Sequence, residues 1–156
     1  VIDVEFTNNT AITARAVFLG FCGALADALV EPVTGATTTI TLVADDVAGA
    51  LMDSGLTDGD GIFLPHNKSN EAASIATSAT GVDVSSTMPA AGTFTRWRVE
   101  ITSAGVMNFF VNKVLTGSIT AALDVDEEVN PVFYVAANAA AIKQVDIRRI
   151  AMWANR

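Results

Sequence analysis

Short runs of β-branched and aromatic residues, each closed by turn chemistry, recur along the whole chain, and this spacing constrains the fold more than any other feature. Val, Ile and Thr number 18, 10 and 17 of 156 residues. Side chains so stiff at χ1 favour pleated, half-buried surfaces. Strand character falls at residues 2–6, 13–21, 37–44, 48–54, 61–66, 73–79, 94–102, 106–112, 113–119, 131–137 and 144–153. Strands follow strands without helices regularly interposed, which predicts an all-β fold, an antiparallel β-sandwich of jelly-roll type, as one domain over 1–156. Apolar spacing at Leu25, Ala28 and Leu29, with Pro32 as a stop, predicts a short helix or ordered loop within 21–32.

The clearest alternation is FTRWRVEIT (94–102), where Trp97, Val99 and Ile101 share one face at period two. Two tight turns follow. Ser103, Ala104 and Gly105 make the first and Asn112 with Lys113 the second, because Gly and Asn tolerate positive φ. Three strands are thereby laid side by side. The expected core comprises Trp97, Val99, Ile101, Phe109, Val111, Val132, Tyr134 and Ile147, arranged in two packed sheets.

Charge and composition exclude several function classes. Nine basic residues stand against 17 acidic ones, a formal net charge of −8, and no block of Lys or Arg gathers in one place. Phosphate neutralisation needs such a block, so no nucleic-acid partner is expected. No window reaches the roughly 18 consecutive apolar residues of a spanning helix, so no membrane partner is expected either. Cys22 is the one cysteine and His66 the one histidine, which removes internal disulfides and His-rich metal sites, and neither lies in a motif that supports Ser/His/Asp or Cys/His catalysis. The chain opens at Val1 without Met or a signal-like leader, which predicts a processed or truncated form whose missing strands precede Val1.

The remaining polar clusters read as turns. Asp58 and Asp60, alternating with Gly59 and Gly61, are the nearest approach to a calcium loop, yet they supply too few oxygens for a shell of six to eight. Asp124, Asp126, Glu127 and Glu128 precede Asn130 and Pro131 and read as a solvated loop. They lack the flanking arrangement that a pair of glycosidase carboxylates requires. No cofactor or metal is expected, and no enzymatic activity. Trp97, in phase with Val99 and Ile101, belongs in the core, whereas Met152 and Trp153 near the C-terminus are the expected interface anchors.

The succession RWRVEIT (96–102), Gly105, NFFVNKVLTGSI (108–119), Pro131 and VDIRRIAMW (145–153) resembles the C-terminal half of concanavalin A-like, laminin-G-like jelly rolls, especially those of tailed-bacteriophage structural proteins. The upstream AVFLGFCGALADAL (16–29) is similar to a stretch of the same phage proteins. The chain departs from that pattern at Lys113, where the family's hairpin carries Gly.

The resemblance implies a virion component on the capsid surface, a decoration or cement protein whose partners are the major capsid protein or other virion proteins. A carbohydrate-binding module of a fibre or tail is the competing expectation, for which Asn67, Asn70 and Asn138 are the candidate amides. Composition adds an oligomer, with a trimer as the commonest form on a capsid. A chain that is 51% hydrophobic and 17% charged carries more apolar surface than a small monomer usually hides.

Overall fold

The structure is a computed structural model and describes residues 1–8, 15–24, 30–58, 61–67, 74–79, 92–126, 128–137 and 144–154. Twelve strands are present among them: β1 (Ile2–Asn8), β2 (Arg15–Cys22), β3 (Val33–Ala36), β4 (Thr39–Leu42), β5 (Val47–Asp53), β6 (His66–Asn67), β7 (Ser74–Ala76), β8 (Thr95–Ile101), β9 (Met107–Val111), β10 (Val114–Ile119), β11 (Asn130–Ala137) and β12 (Val145–Met152). A 3-10 turn at Thr77–Ala79 is the one helical element among the described residues. All strand pairings are antiparallel. The fold is all-β, a β-sandwich.

Three sheets form. The front sheet has the order β10-β9-β8-β1-β12, the central sheet β11-β2-β5-β6, and a small sheet β3-β4-β7. The small sheet corrects the expectation of two. Val17, Leu19 and Phe21 of β2, with Ala48, Ala50 and Met52 of β5, face the front sheet and meet Ile2, Val4, Phe6, Trp97, Val99, Met107 and Phe109. Phe18 and Cys22 of β2, with Val47 and Leu51 of β5, point the other way. They pack with Val33, Ile40 and Leu42 of the small sheet and with Leu56 and Phe63.

The central strands are therefore covered on both sides, and every residue of β2 and β5 is buried. A second core takes up part of the apolar excess that composition alone assigned to an oligomer. Val132 and Tyr134 of β11 pack half-buried against this second core, while Phe133 and Val135, in the alternate phase, pack against the first.

Local chemistry explains how the layers close. Trp97 is fully buried between Phe6 and Phe109, whose rings stand at 87° and 89° to it with centroids 5.2 and 5.5 Å away. Such edge-to-face contacts add to simple area burial. On the opposite core, Gly20 and Gly49 pair across β2 and β5, and the Phe18 ring lies over both. A Cβ at Gly49 would stand 2.6 Å from that ring, so the absence of a side chain is what admits it. Asp53 ties the central sheet to the small one: its carboxylate accepts from the backbone N–H of Gly35 and of Gly55, both at 2.8 Å. The Tyr134 hydroxyl donates to the Val33 carbonyl across the same interface. Burial, then the charges of Glu31 and Asp53, push that phenol's pKa well up and keep it a donor.

Both predicted turns form. Gly105 takes φ +71, with Thr102 N–H donating to Val106 O at 2.9 Å. Asn112 and Lys113 take φ 49 and 75, the conformation of a tight hairpin turn.

One core expectation fails. Ile147 is 46% exposed, because β12 is the outer strand of the front sheet, beyond the cover of the central sheet, and its register with β1 shifts between Glu5 and Phe6. In the stretch expected as helix or loop, Phe21 and Cys22 belong to β2, and Leu25, Ala28 and Leu29 lie outside the described residues.

Candidate functional site

The outward face of the front sheet carries paired charges. Arg96 grips the buried Asp3 with Nε at 2.8 and 3.0 Å and with Nη2 in a further contact, and this bond pushes the guanidinium pKa further up. Arg98 meets Glu100 at 3.1 Å and lies over the Phe110 ring. Arg148 meets Glu5 at 3.1 Å and lies over Phe94. These cations already have carboxylates and rings for company, so the face reads as a self-satisfied polar surface.

At the end of the sandwich where β2, β8 and β12 terminate, a hollow of about 700 Å³ opens between the front and central sheets. Phe21, Ile101, Val129 and Trp153 supply its apolar part and Glu100, Thr102 and Ser103 its polar rim. A second, more open hollow of about 550 Å³ is lined by Asp45, Asp46, Asp126, Glu128 and Asn130 with Gly23 and Ala24. Sequence reasoning grouped Asp124, Asp126 and Glu128, which stand in one loop, but missed that Asp126 and Glu128 line one hollow with Asp45 and Asp46 from the β4–β5 connection. Glu127 lies outside the described residues. Among the described residues, no group of three or more His, Cys, Asp and Glu is placed to hold a metal ion.

The other sequence candidates are scattered. Asp58 sits in a turn, its carbonyl accepting from Gly61 N–H at 3.0 Å, and Asp60 is outside the described residues. His66, on β6, has Nδ1 2.9 Å from the Leu64 carbonyl. Cys22 is buried, which pushes its thiol pKa up and keeps it protonated. Asn67, a candidate glycan amide, is instead a buried structural group whose side-chain oxygen accepts from Val47 N–H at 2.7 Å. Asn70 and Asn138 lie outside the described residues.

Met152 and Trp153 are 59% and 40% exposed, and they do not stand alone. Ile147 and Ile150 of the same strand are open as well, and Val114 and Leu115 are open on β10. Most of the exposed large apolar side chains among the described residues thus lie on, or directly after, the two outer strands of one sheet, whose outer edges no other described strand pairs. The signal for this was the imperfect alternation of 145–152, where Arg148 and Arg149 interrupt the apolar phase. No protein-family model, curated protein or solved structure matches this chain.

Proposed function

We propose that this protein is a non-enzymatic structural component of a tailed-phage virion, built as a concanavalin A-like jelly roll, that decorates or cements the capsid. The observation carrying the structural role is the concentration of Ile147, Ile150 and Met152 on one outer strand with Trp153 directly after it, an arrangement suited to contact with other subunits. The phage assignment rests on the resemblance of 96–153, and the jelly-roll assignment gains support from the interleaving of early and late strands in both large sheets, β1 between β8 and β12 and β2 between β11 and β5. Titration of the purified protein onto undecorated heads tests the role. Saturable, stoichiometric binding is expected, and failure to bind any head or other virion part would remove it.

A second reading has one observation in its favour. The Trp153 side of the end hollow combines an aromatic ring with the carboxylate of Glu100 and the hydroxyls of Thr102 and Ser103, a set that suits a sugar ring. Glycan-array binding lost in Trp153→Ala would favour a fibre or tail module over a capsid protein.

A further inference from the structure

We propose that the outer edge of β12, which no other strand among the described residues pairs, is completed by the β12 of a second copy, paired antiparallel about a two-fold axis at Ala151. The backbone sets the register. Val1 N donates to the Trp153 carbonyl at 2.8 Å and Trp153 N to the Val1 carbonyl at 3.1 Å, so these two residues form a hydrogen-bonded pair. Antiparallel ladders alternate, which makes Asp3 with Ala151 the next such pair and leaves Ile2 with Met152, and Val4 with Ile150, as the intervening pairs. The N–H and C=O groups of Ile150 and Met152 therefore point away from β1, toward the open edge. A partner strand is the natural acceptor of such groups.

Side chains then choose the partner. With the axis at Ala151, Ile150 stands opposite the partner's Met152 and Met152 opposite the partner's Ile150, so the exposed apolar groups cover one another. Ala151 meets its own copy, and the small side chain lets the strands approach. Arg149 falls opposite the partner's Trp153, placing a cation beside an aromatic ring. The two Arg149 residues, four strand positions apart, are separated by about 13 Å, which exceeds the screening length of about 8 Å at physiological salt. An axis between Arg148 and Arg149 would instead set arginine against arginine. Charge complementarity and apolar matching thus favour the same register, and the segment is complementary to itself, as a two-fold contact requires.

This inference rests on reading β12 as an assembly surface, but not on which particle is assembled. A dimer that binds no head would leave it standing and remove the virion role; a monomer that decorates heads would do the reverse. The test is sedimentation velocity over a concentration series, joined to cysteine cross-linking. The wild-type thiol is buried at Cys22 and serves as the silent control. Ala151→Cys should form an intersubunit disulfide under mild oxidation, since opposed residues in a non-hydrogen-bonded pair lie about 4.5 Å apart at Cα. Ile147→Cys should not. Ile150→Lys, at an exposed position that leaves folding intact by circular dichroism, should raise the dimer dissociation constant about tenfold or more. A protein monomeric at every concentration, a dimer indifferent to Ile150→Lys, or cross-linking at 147 in preference to 151 would each overturn the proposal.

Discussion

β2 and β12 are both eight residues long and rich in apolar side chains, yet every residue of β2 is buried and none of β12 is. Hydrophobicity separates them only in part, since Asp146, Arg148 and Arg149 interrupt β12; their place in the layers does the rest. β2 lies inside the central sheet with a sheet on each face, whereas β12 closes the front sheet and overhangs the sandwich. An apolar residue therefore has two distinct uses in this molecule, and substitution tells them apart.

The sharpest contrast should come from Leu19→Ala in β2, which leaves a cavity between the sheets and should cost about 2 to 5 kcal/mol in denaturant unfolding. A loss under 1 kcal/mol would mean that the layers relax around the gap and that the central strand is less constrained than its burial implies. Asp53→Ala should follow at about 1 to 3 kcal/mol, because the amides of the half-buried Gly35 and of Gly55 lose the buried carboxylate that accepts from both. The loss should appear as early hydrogen exchange in β3 and β4, ahead of the front sheet.

Gly49→Ala drives a methyl into the Phe18 ring and should cost about 1 to 3 kcal/mol. A neutral result would show that Phe18 can leave the glycine pair. Lys113→Gly should act in the opposite direction. Lys113 holds φ 75, a conformation that strains an L-residue, so glycine there should raise stability by about 1 kcal/mol in thermal or chemical melts. Ile150→Ala in β12 should change monomer stability by no more than about 0.5 kcal/mol. A large loss there would place β12 inside a core after all.

Much of the strand layout was legible in advance, because alternation reports a sheet with one wet face. Trp97, Val99 and Phe109 obey that rule and are buried where expected. The small sheet was harder to see, since β3 is the four-residue run VTGA, too short and too mixed to announce itself. Its existence nevertheless left a trace in β2 and β5: RAVFLGFC and VAGALMD are nearly continuous apolar runs, the mark of strands covered on both faces. Ile147 misled because alternation identifies a face without saying whether anything stands opposite it. Asp45 and Asp126 come together only through the sandwich, and no local spacing connects residues so far apart. Asn67 carried no sign in sequence that its amide would be enclosed by the β5–β6 pairing.

The position of β1 bears on how the chain reaches this state. Among the described strands it comes earliest in sequence, yet its two neighbours in the front sheet are β8 and β12, so Ile2, Val4 and Phe6 gain neither of these partners until Thr95–Ile101 has emerged. At synthesis rates of about 5 to 20 residues per second, that interval is roughly 5 to 20 s. During it β1 is without its two sheet neighbours, and the front sheet can close only after β12 has left the ribosome. Native contacts this remote in sequence also slow refolding of the complete chain. Closure of the front sheet therefore waits on the synthesis of β12, and the quantity of native protein a cell recovers depends on what shields Ile2, Val4 and Phe6 in the meantime.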